Sequence, residues 1–203
     1  MRMNTDSRKV IFCAVMSSND YMEAFEKLVK LDMKSPVKER ECALVLTMCC
    51  VKEPQSNPFY PKVAAKLGRT DRKFRLSVQC AIWDRLSAIV EGKASKQACI
   101  NLANFTSLLI KEGVLNLSCL KKVEFADMNK GLTLFMQTLI KDLLSSASNE
   151  QERNSHFALI SGNPKFSALR ESLRLFLHHF FRKDSVEMKA RIESAEAAML
   201  AKK

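Results

Sequence analysis

The stretch NPKFSALRESLRLFLHHFF (residues 163–181) carries the clearest structural signal in the sequence. An asparagine followed by proline is typical of a helix start, because asparagine caps the helix and proline fits its first turn. Behind this start, apolar residues recur three and four positions apart, at Phe166, Leu169, Leu173, Phe176, Leu177 and Phe180. The spacing predicts an amphipathic helix that anchors a hydrophobic core.

The same three-and-four spacing continues through almost the whole chain and predicts about ten helices. Capping residues, or an Asn-Pro or Ser-Pro pair, mark predicted helix starts near positions 5, 20, 35, 57, 70, 95, 127, 149, 163 and 185. Gly68 and Gly113 mark two predicted ends. Because five Gly and five Pro are few for a sheet-rich fold, no strand is predicted.

These elements predict an all-α protein, built as a right-handed stack of antiparallel helical hairpins of the HEAT-like kind. Residues 1–182 are expected to form one helical-repeat domain. Residues 183–203 are predicted to form a C-terminal helix that is loosely docked, because its Ala-, Glu- and Lys-rich sequence gives it a weak apolar face.

Charge and cysteine content limit the environment. The net charge of +11 suits a nuclear or nucleolar protein among RNA, or one with an acidic protein partner. The seven cysteines lie in apolar contexts without C-x-x-C spacing, so buried thiols in a reducing compartment are expected. The longest uncharged run, residues 97–110, is too short for a membrane span.

No catalytic constellation is found in the sequence. It lacks a glycine-rich phosphate loop, a G-x-S-x-G element and an H-E-x-x-H element, and its three histidines are far from any cysteine pair. We therefore expect a protein that is not an enzyme and that has no cofactor, metal or small-molecule substrate.

Six basic residues cluster around the turn between the fourth and fifth predicted helices. They are Lys62, Lys66, Arg69, Arg72, Lys73 and Arg75, with only Asp71 opposing them. Such a cluster can bind RNA phosphates, although a solvated turn accounts for it as well. No aromatic residue interleaves with these charges in the sequence, as a single-strand stacking platform would require.

Three short matches to peptide signals have simpler explanations. Residues 57–60 fit an N-P-x-Y signal, but Asn57 and Pro58 also form a normal helix start. Residues 9–12 and 122–125 fit the loose phosphatase-docking pattern K-V-x-F, which must add as a strand to a sheet edge. The first match falls inside a predicted helix, and the second follows a helical turn.

Residues from Arg2 to about Arg182 resemble the MA-three domain of the nucleolar MIF4G-domain family. The resemblance rests on the order of five blocks: RMNTDSRKVIFCAVMSSNDYMEAFEKLVKL, NPFYPKVAAKL, IWD, LKKVEFADMNK and NPKFSALRESLRLFLHHFF. It implies helical repeats of HEAT type, and a domain that a central MIF4G domain precedes in full-length members.

The resemblance also implies a function. Related MA-three domains bind a DEAD-box RNA helicase of the initiation factor 4A type, and the nucleolar members act in maturation of the small-subunit ribosomal RNA. Helicase contacts in that family use acidic residues near inter-helix turns, which here correspond to Asp20 and Glu23 and, more loosely, Asp127. A monomeric adaptor in the nucleolus is thus expected. Direct RNA binding at 62–75, or packing against a MIF4G domain, are the alternatives.

Overall fold

The computed structural model of the protein describes residues 5–31, 35–145, 149–181 and 185–201. All regular elements in these segments are helical, which confirms the predicted all-α class. The ten α-helices of the described segments are α1 Asp6–Met16, α2 Tyr21–Lys30, α3 Pro36–Lys52, α4 Phe59–Thr70, α5 Arg72–Val90, α6 Lys96–Lys111, α7 Lys130–Ser145, α8 Glu150–Ala158, α9 Ser167–Phe180 and α10 Val186–Leu200. Two 3-10 helices, Leu117–Lys122 and Pro164–Phe166, precede α7 and α9.

The first six helices form three consecutive hairpins, and the hairpins stack on one another. Helix α1 packs on α3 and α3 on α5, while α2 packs on α4 and α4 on α6. Helix α7 then covers α6 along much of its length, and α8 and α10 pack against each other. This arrangement is the predicted stack of helical hairpins.

Helices with neighbours on two sides bury the apolar faces that their sequences predict. The predicted core residues of α5 and α7 are all buried: Phe74, Val78, Ala81, Ile82, Leu86, Leu132, Phe135, Met136, Leu139 and Leu143. Burying each larger side chain contributes on the order of 1.5–3 kcal/mol, so these two helices anchor the fold.

The first hairpin departs from the predicted pattern. Val10 and Val29 were expected to face inward, but they are 50% and 48% exposed. Because α1 and α2 are the end of the stack, each has another helix on one side only, and Ile11, Val15, Ala24 and Leu28 suffice to fill that contact.

The predicted boundary between α4 and α5 is shifted. Gly68 was expected to end α4, but the helix continues to Thr70 and Gly68 is buried inside it. A Cβ atom at Gly68 would lie 2.5 Å from Val114 Cγ1, so the glycine allows a close approach rather than a helix end. The N-cap of α5 is Asp71, whose carboxylate accepts from Lys73 N at 2.8 Å, and not Thr70 as predicted.

Helix α7 starts later than the sequence suggested. Its first residue is Lys130, and the cap is supplied by Asn129, whose Oδ1 accepts from Leu132 N at 2.8 Å. The amide nitrogen of Asn129 donates to the carbonyls of Ile89 and Val90, so one side chain joins the start of α7 to the end of α5. Asp127 therefore lies in the preceding loop and has no capping role.

The last helix covers its apolar side. Met188, Ile192, Ala195 and Met199 of α10 are buried, and the helix packs mainly on α8. The loose docking of residues 183–203 and the domain boundary at 182 stay predictions. Among the helices of the described segments, none has both the length and the apolar composition that a membrane crossing requires.

Five of the seven cysteines are buried as expected, namely Cys42, Cys49, Cys50, Cys99 and Cys119. Burial raises the pKa of Cys49 to about 11 and that of Cys119 to about 12, so both are neutral thiols near pH 7. The expectation is wrong for Cys13, which is exposed, and only partly met by half-buried Cys80.

Candidate partner-binding surfaces

The acidic turn consists of Asp20 and Glu23 at the start of α2. The Asp20 carboxylate accepts from Met22 N and Glu23 N, both at 2.8 Å, and so caps the helix. Glu23 accepts from the backbone and side-chain nitrogens of Asn19 at 2.8 and 3.0 Å, so the return bond of the predicted capping box goes to the residue before the cap and not to Asp20 N. Both residues therefore stabilise the turn itself.

The two carboxylates of this turn differ in how much charge they present to solvent. Lys27 lies 2.8 Å from Glu23 Oε1. The Lys27 ammonium, with the Asn19 backbone N–H, holds the pKa of the Glu23 carboxyl below its usual range. Asp20 is exposed and forms no salt bridge in the described segments. Asp20 thus supplies the less compensated negative charge.

Packing of α2 on α4 brings the basic cluster against the helix that starts with the acidic turn. The ammonium of Lys62 lies 5.4 Å from the centroid of the Tyr21 ring, and that of Lys66 lies 5.7 Å from the Phe25 ring. Since both partners advance by four residues in the same direction, α2 and α4 run parallel. The helix that begins with the acidic turn and the helix that carries Lys62 and Lys66 are therefore neighbours, although they are far apart in the sequence.

The other members of the basic cluster have different roles. Arg69 pairs with Glu112 at the end of α6, and Arg75 Nε donates to the Gly68 carbonyl at 2.8 Å. Arg69 thus joins the end of α4 to the end of α6, and Arg75 joins the start of α5 back to α4. Arg72 and Lys73 are exposed at the start of α5 and form no salt bridge within the described residues.

Asp127 belongs to a separate region. It is exposed and lines a surface cavity of about 270 Å³ together with Trp83, Lys122 and Glu124. Helix α2 makes its main contacts with α1 and α4, whereas this cavity lies between α5 and the loop before α7. Asp127 therefore does not form one site with the acidic turn.

Three aromatic residues of these surfaces were not predicted as site residues. Tyr21 and Phe25 are partly exposed beside lysines, and Trp83 lies under Lys121 and Lys122, whose ammoniums are 5.3 and 4.2 Å from its ring. The two rings in α2 and the two lysines in α4 have the same four-residue spacing, and this spacing is the sequence signal that could have paired them. It becomes informative only when the two helices are known to pack side by side.

The structure also shows how accessible the three short peptide matches are. Tyr60 is 3% exposed and donates to Glu53 at 2.6 Å, so residues 57–60 are a helix start and not an accessible N-P-x-Y signal. The match at 9–12 lies within helix α1. In the match at 122–125, Val123 and Phe125 pack against the protein's own core, and the Phe125 ring contacts that of Phe176.

The described segments contain no group of three or more His, Cys, Asp or Glu side chains placed to hold a metal ion. What they present is a hairpin stack with charged turns and aromatic side chains on its surface. These features define a helical-repeat scaffold.

The MA3 domain model matches residues 7–116, which are more than half of the chain, and the chain therefore belongs to the MA3 family. The match spans α1 to α6. The predicted extension of the domain to residue 182 stays a prediction.

The chain is similar to three curated relatives over most of its length. It is 39% identical to human nucleolar MIF4G domain-containing protein 1 over 91% of the chain, and 36% identical to the Drosophila melanogaster homolog over 98%. It is 29% identical over 74% of its length to suppressor of glycerol defect protein 1 of Schizosaccharomyces pombe. The alignments cover 21%, 23% and 20% of these relatives, so the chain spans about a fifth of their length.

Proposed function

We propose that this chain is a non-catalytic docking domain that binds a DEAD-box RNA helicase of the initiation factor 4A type in the nucleolus. There it would hold the helicase during processing of pre-ribosomal RNA for the small subunit. The observation that carries the proposal is the MA3 match over the three stacked hairpins. The names of the human and fly relatives support a nucleolar location.

A binding role agrees with the chemistry of the described residues. The buried thiols have raised pKa values because burial disfavours their charged form, so they are poor nucleophiles. The acidic turn is held by backbone hydrogen bonds rather than placed in a closed cleft. The thiols are therefore not poised to react with a substrate, and the carboxylates of the acidic turn are suited to presenting charge on a surface.

The proposed mechanism is positional. A hairpin stack with buried, interlocking side chains is a stiff surface. If that surface binds one arrangement of the two helicase lobes more tightly than the other, it shifts the helicase toward the favoured arrangement by the difference in binding free energy. No reacting group on the scaffold is needed for this effect.

We assign the helicase contact to the acidic turn, with Asp20 as its principal charge. The test is the double variant Asp20→Asn with Glu23→Gln, measured by titration calorimetry against the purified helicase. Asparagine caps a helix as well as aspartate, and the side-chain oxygen of glutamine can still accept from Asn19 N, so the substitutions remove charge while keeping the fold. We expect affinity to fall about tenfold, because losing one charge of a close interfacial pair costs roughly 1.5 kcal/mol or more.

Two variants serve as matched comparisons. Asp71→Asn removes a capping carboxylate of the same kind at the start of α5, and it should leave helicase binding unchanged. Asp127→Asn tests the separate cavity at Trp83. Wild-type affinity in the folded Asp20/Glu23 variant, with loss in Asp127→Asn, would move the contact to that cavity. Failure of the wild-type chain to bind any helicase of this type would refute the proposed function.

A further inference from the structure

The face formed by α2 and α4 combines aromatic rings with uncompensated cations. Tyr21 is 36% exposed and Phe25 is partly exposed. Lys62 and Lys66 lie over these rings and form no salt bridge in the described segments. Aromatic rings and unpaired cations side by side are the two components that single-stranded nucleic acid requires, because every base has a face that can stack and every nucleotide has a phosphate.

The components repeat in register. From Tyr21 to Phe25, and from Lys62 to Lys66, the parallel helices advance by four residues, which is a rise of about 6 Å. Each ring therefore has its own lysine at a nearly constant separation, 5.4 Å in the first pair and 5.7 Å in the second. Two adjacent nucleotides of an extended strand match this repeat. Each ring would take one base, and the lysine beside it would take one phosphate.

The charges around the pairs favour a polyanion. Glu23 is compensated by Lys27, and exposed Arg72 and Lys73 follow the end of α4, with exposed Asp71 between them and that helix. The exposed carboxylates of this region, Asp20, Glu26 and Asp71, are fewer than its cations outside salt bridges in the described segments, namely Lys30, Lys62, Lys66, Arg72 and Lys73. The chain as a whole carries a net charge of +11.

We infer that the α2–α4 face, formed by Tyr21, Phe25, Lys62 and Lys66, is a binding site for single-stranded RNA. The inference goes beyond the proposed helicase contact and does not depend on it. In this site the lysine ammoniums move from the rings to the phosphates, and unpaired bases take their place against the rings. Duplex RNA does not fit this chemistry, because its bases are already stacked within the helix.

The test is fluorescence anisotropy of a labelled oligouridine with the whole chain, titrated at several salt concentrations. The variant Tyr21→Leu with Phe25→Leu keeps apolar side chains on α2 but removes both rings. We expect its affinity to fall about tenfold or more with no change in salt dependence, since base stacking on aromatic residues is not ionic. The oligouridine should bind far better than a duplex of the same length.

The complementary variant is Lys62→Gln with Lys66→Gln. Log K falls as log salt rises, and each lost phosphate contact makes this slope less steep by about 0.7 for a single strand, so the slope of the variant should be less steep by about 1.4. The matched control is Lys121→Gln with Lys122→Gln, which removes two lysines from the other aromatic cluster, at Trp83. It should leave both affinity and slope close to wild type.

Three outcomes would overturn the inference. The folded leucine variant could bind the oligouridine like the wild type, the control variant could lose as much binding as Lys62→Gln with Lys66→Gln, or the duplex could bind equally well. A further competition separates RNA from an acidic protein partner. If polyglutamate of equal charge displaced the oligouridine completely, the face would be a site for acidic protein segments instead.

Discussion

Buried polar side chains have different surroundings in the hairpin stack of α1 to α6 and in the last three helices. In α6, the fully buried Asn101 donates to the carbonyls of Cys50 and Glu53 at 3.1 and 2.8 Å and accepts from Gln97. In the region of α8 to α10, four buried side-chain atoms have no hydrogen-bond partner among the described residues: Arg153 Nε, Asn154 Oδ1, Ser161 Oγ and Arg174 Nε. The described residues of α1 to α6 contain no such atom.

The difference follows from how each region is built. Stacked hairpins place the end of one helix beside the middle of another, so a side chain such as Asn101 can satisfy carbonyls that a helix end leaves free. The last three helices lack this regular stacking, and a buried polar atom without a partner costs about 1–3 kcal/mol. We therefore expect α8 to α10 to open at a lower free energy than α1 to α6.

This contrast also bears on the comparison with relatives. The MA3 match ends at residue 116, whereas the similarity to the fly homolog covers 98% of the chain. The last helices are thus shared with these nucleolar relatives but lie outside the matched domain. The stability of these last helices can therefore differ from that of α1 to α6 without any change in the family's hairpin stack.

Two serines give the strongest test of the contrast. The hydroxyl of buried Ser107 in α6 donates to the Asp142 carboxylate, which also binds Lys111. The hydroxyl of buried Ser161 has no partner. Ser107→Ala should lower the free energy of unfolding by about 1.5–3 kcal/mol, the usual contribution of a hydrogen bond to a charged group. Ser161→Ala removes an unpaired buried hydroxyl and should instead raise the free energy of unfolding, by about 1–3 kcal/mol at most.

Urea unfolding followed by circular dichroism measures both values. The two variants are controls for each other, because each deletes one buried hydroxyl of the same residue type. Equal losses would show that Ser161 is satisfied in solution, and the contrast between the two regions would then disappear.

A second test uses pH, because the three histidines of the sequence all lie after residue 116. Burial lowers the pKa of His156 in α8, an effect that Lys111 strengthens and Glu152 opposes. With the folded pKa below the unfolded one, stability is complete above the unfolded value of about 6.5 and is lost as pH falls toward the folded value. Each unit of such a difference corresponds to about 1.4 kcal/mol.

Hydrogen exchange at about pH 7.5 and about pH 5.5, within the range where histidine titrates, separates the regions. Once corrected for the intrinsic effect of pH, protection should fall at the lower pH in α8 and α10 and stay constant in α3 to α6. His156→Gln should abolish most of this change, whereas the exposed His179→Gln should leave it intact. An equal loss of protection in α3 to α6 would mean that the chain opens as one unit.

Sequence pattern predicted the fold best where helices have neighbours on both sides. The apolar positions of α5 and α7 were all assigned correctly, because a broad contact buries a broad face. Val10 and Val29 were assigned wrongly, since the pattern does not tell which hairpin ends the stack. Gly68 was misjudged because the helix-ending and close-packing uses of glycine look alike in a sequence.

The candidate surfaces were predicted less completely than the fold. Sequence spacing identified Asp20 as the cap of α2, since that interaction is local, but the return bond of Glu23 goes to Asn19 N and not to Asp20 N as a capping box requires. It also grouped six basic residues that the structure divides: Arg69 joins α4 to α6, Arg75 joins α5 to α4, and Lys62 and Lys66 lie beside Tyr21 and Phe25. Contacts between separate helices decide this division, and the local pattern becomes informative only once the packing of those helices is known.

The smallest expected effect concerns the start of α5. Asp71 caps the helix through its hydrogen bond to Lys73 N, whereas the Thr70 hydroxyl donates back to the Lys66 carbonyl within α4. Asp71→Ala should therefore cost about 1 kcal/mol in thermal or urea unfolding, and Thr70→Ala only a few tenths.

A finer distinction comes from the neighbouring Glu39. Its burial, and then the nearby Asp71 carboxylate, raise the pKa of this side chain, so the two negative charges repel each other near pH 7. Asp71→Asn keeps the cap and removes the repulsion, and it should leave stability unchanged or slightly higher. If Asp71→Asn destabilised the protein as much as Asp71→Ala, the aspartate would act through its charge at the helix start and not through the hydrogen bond.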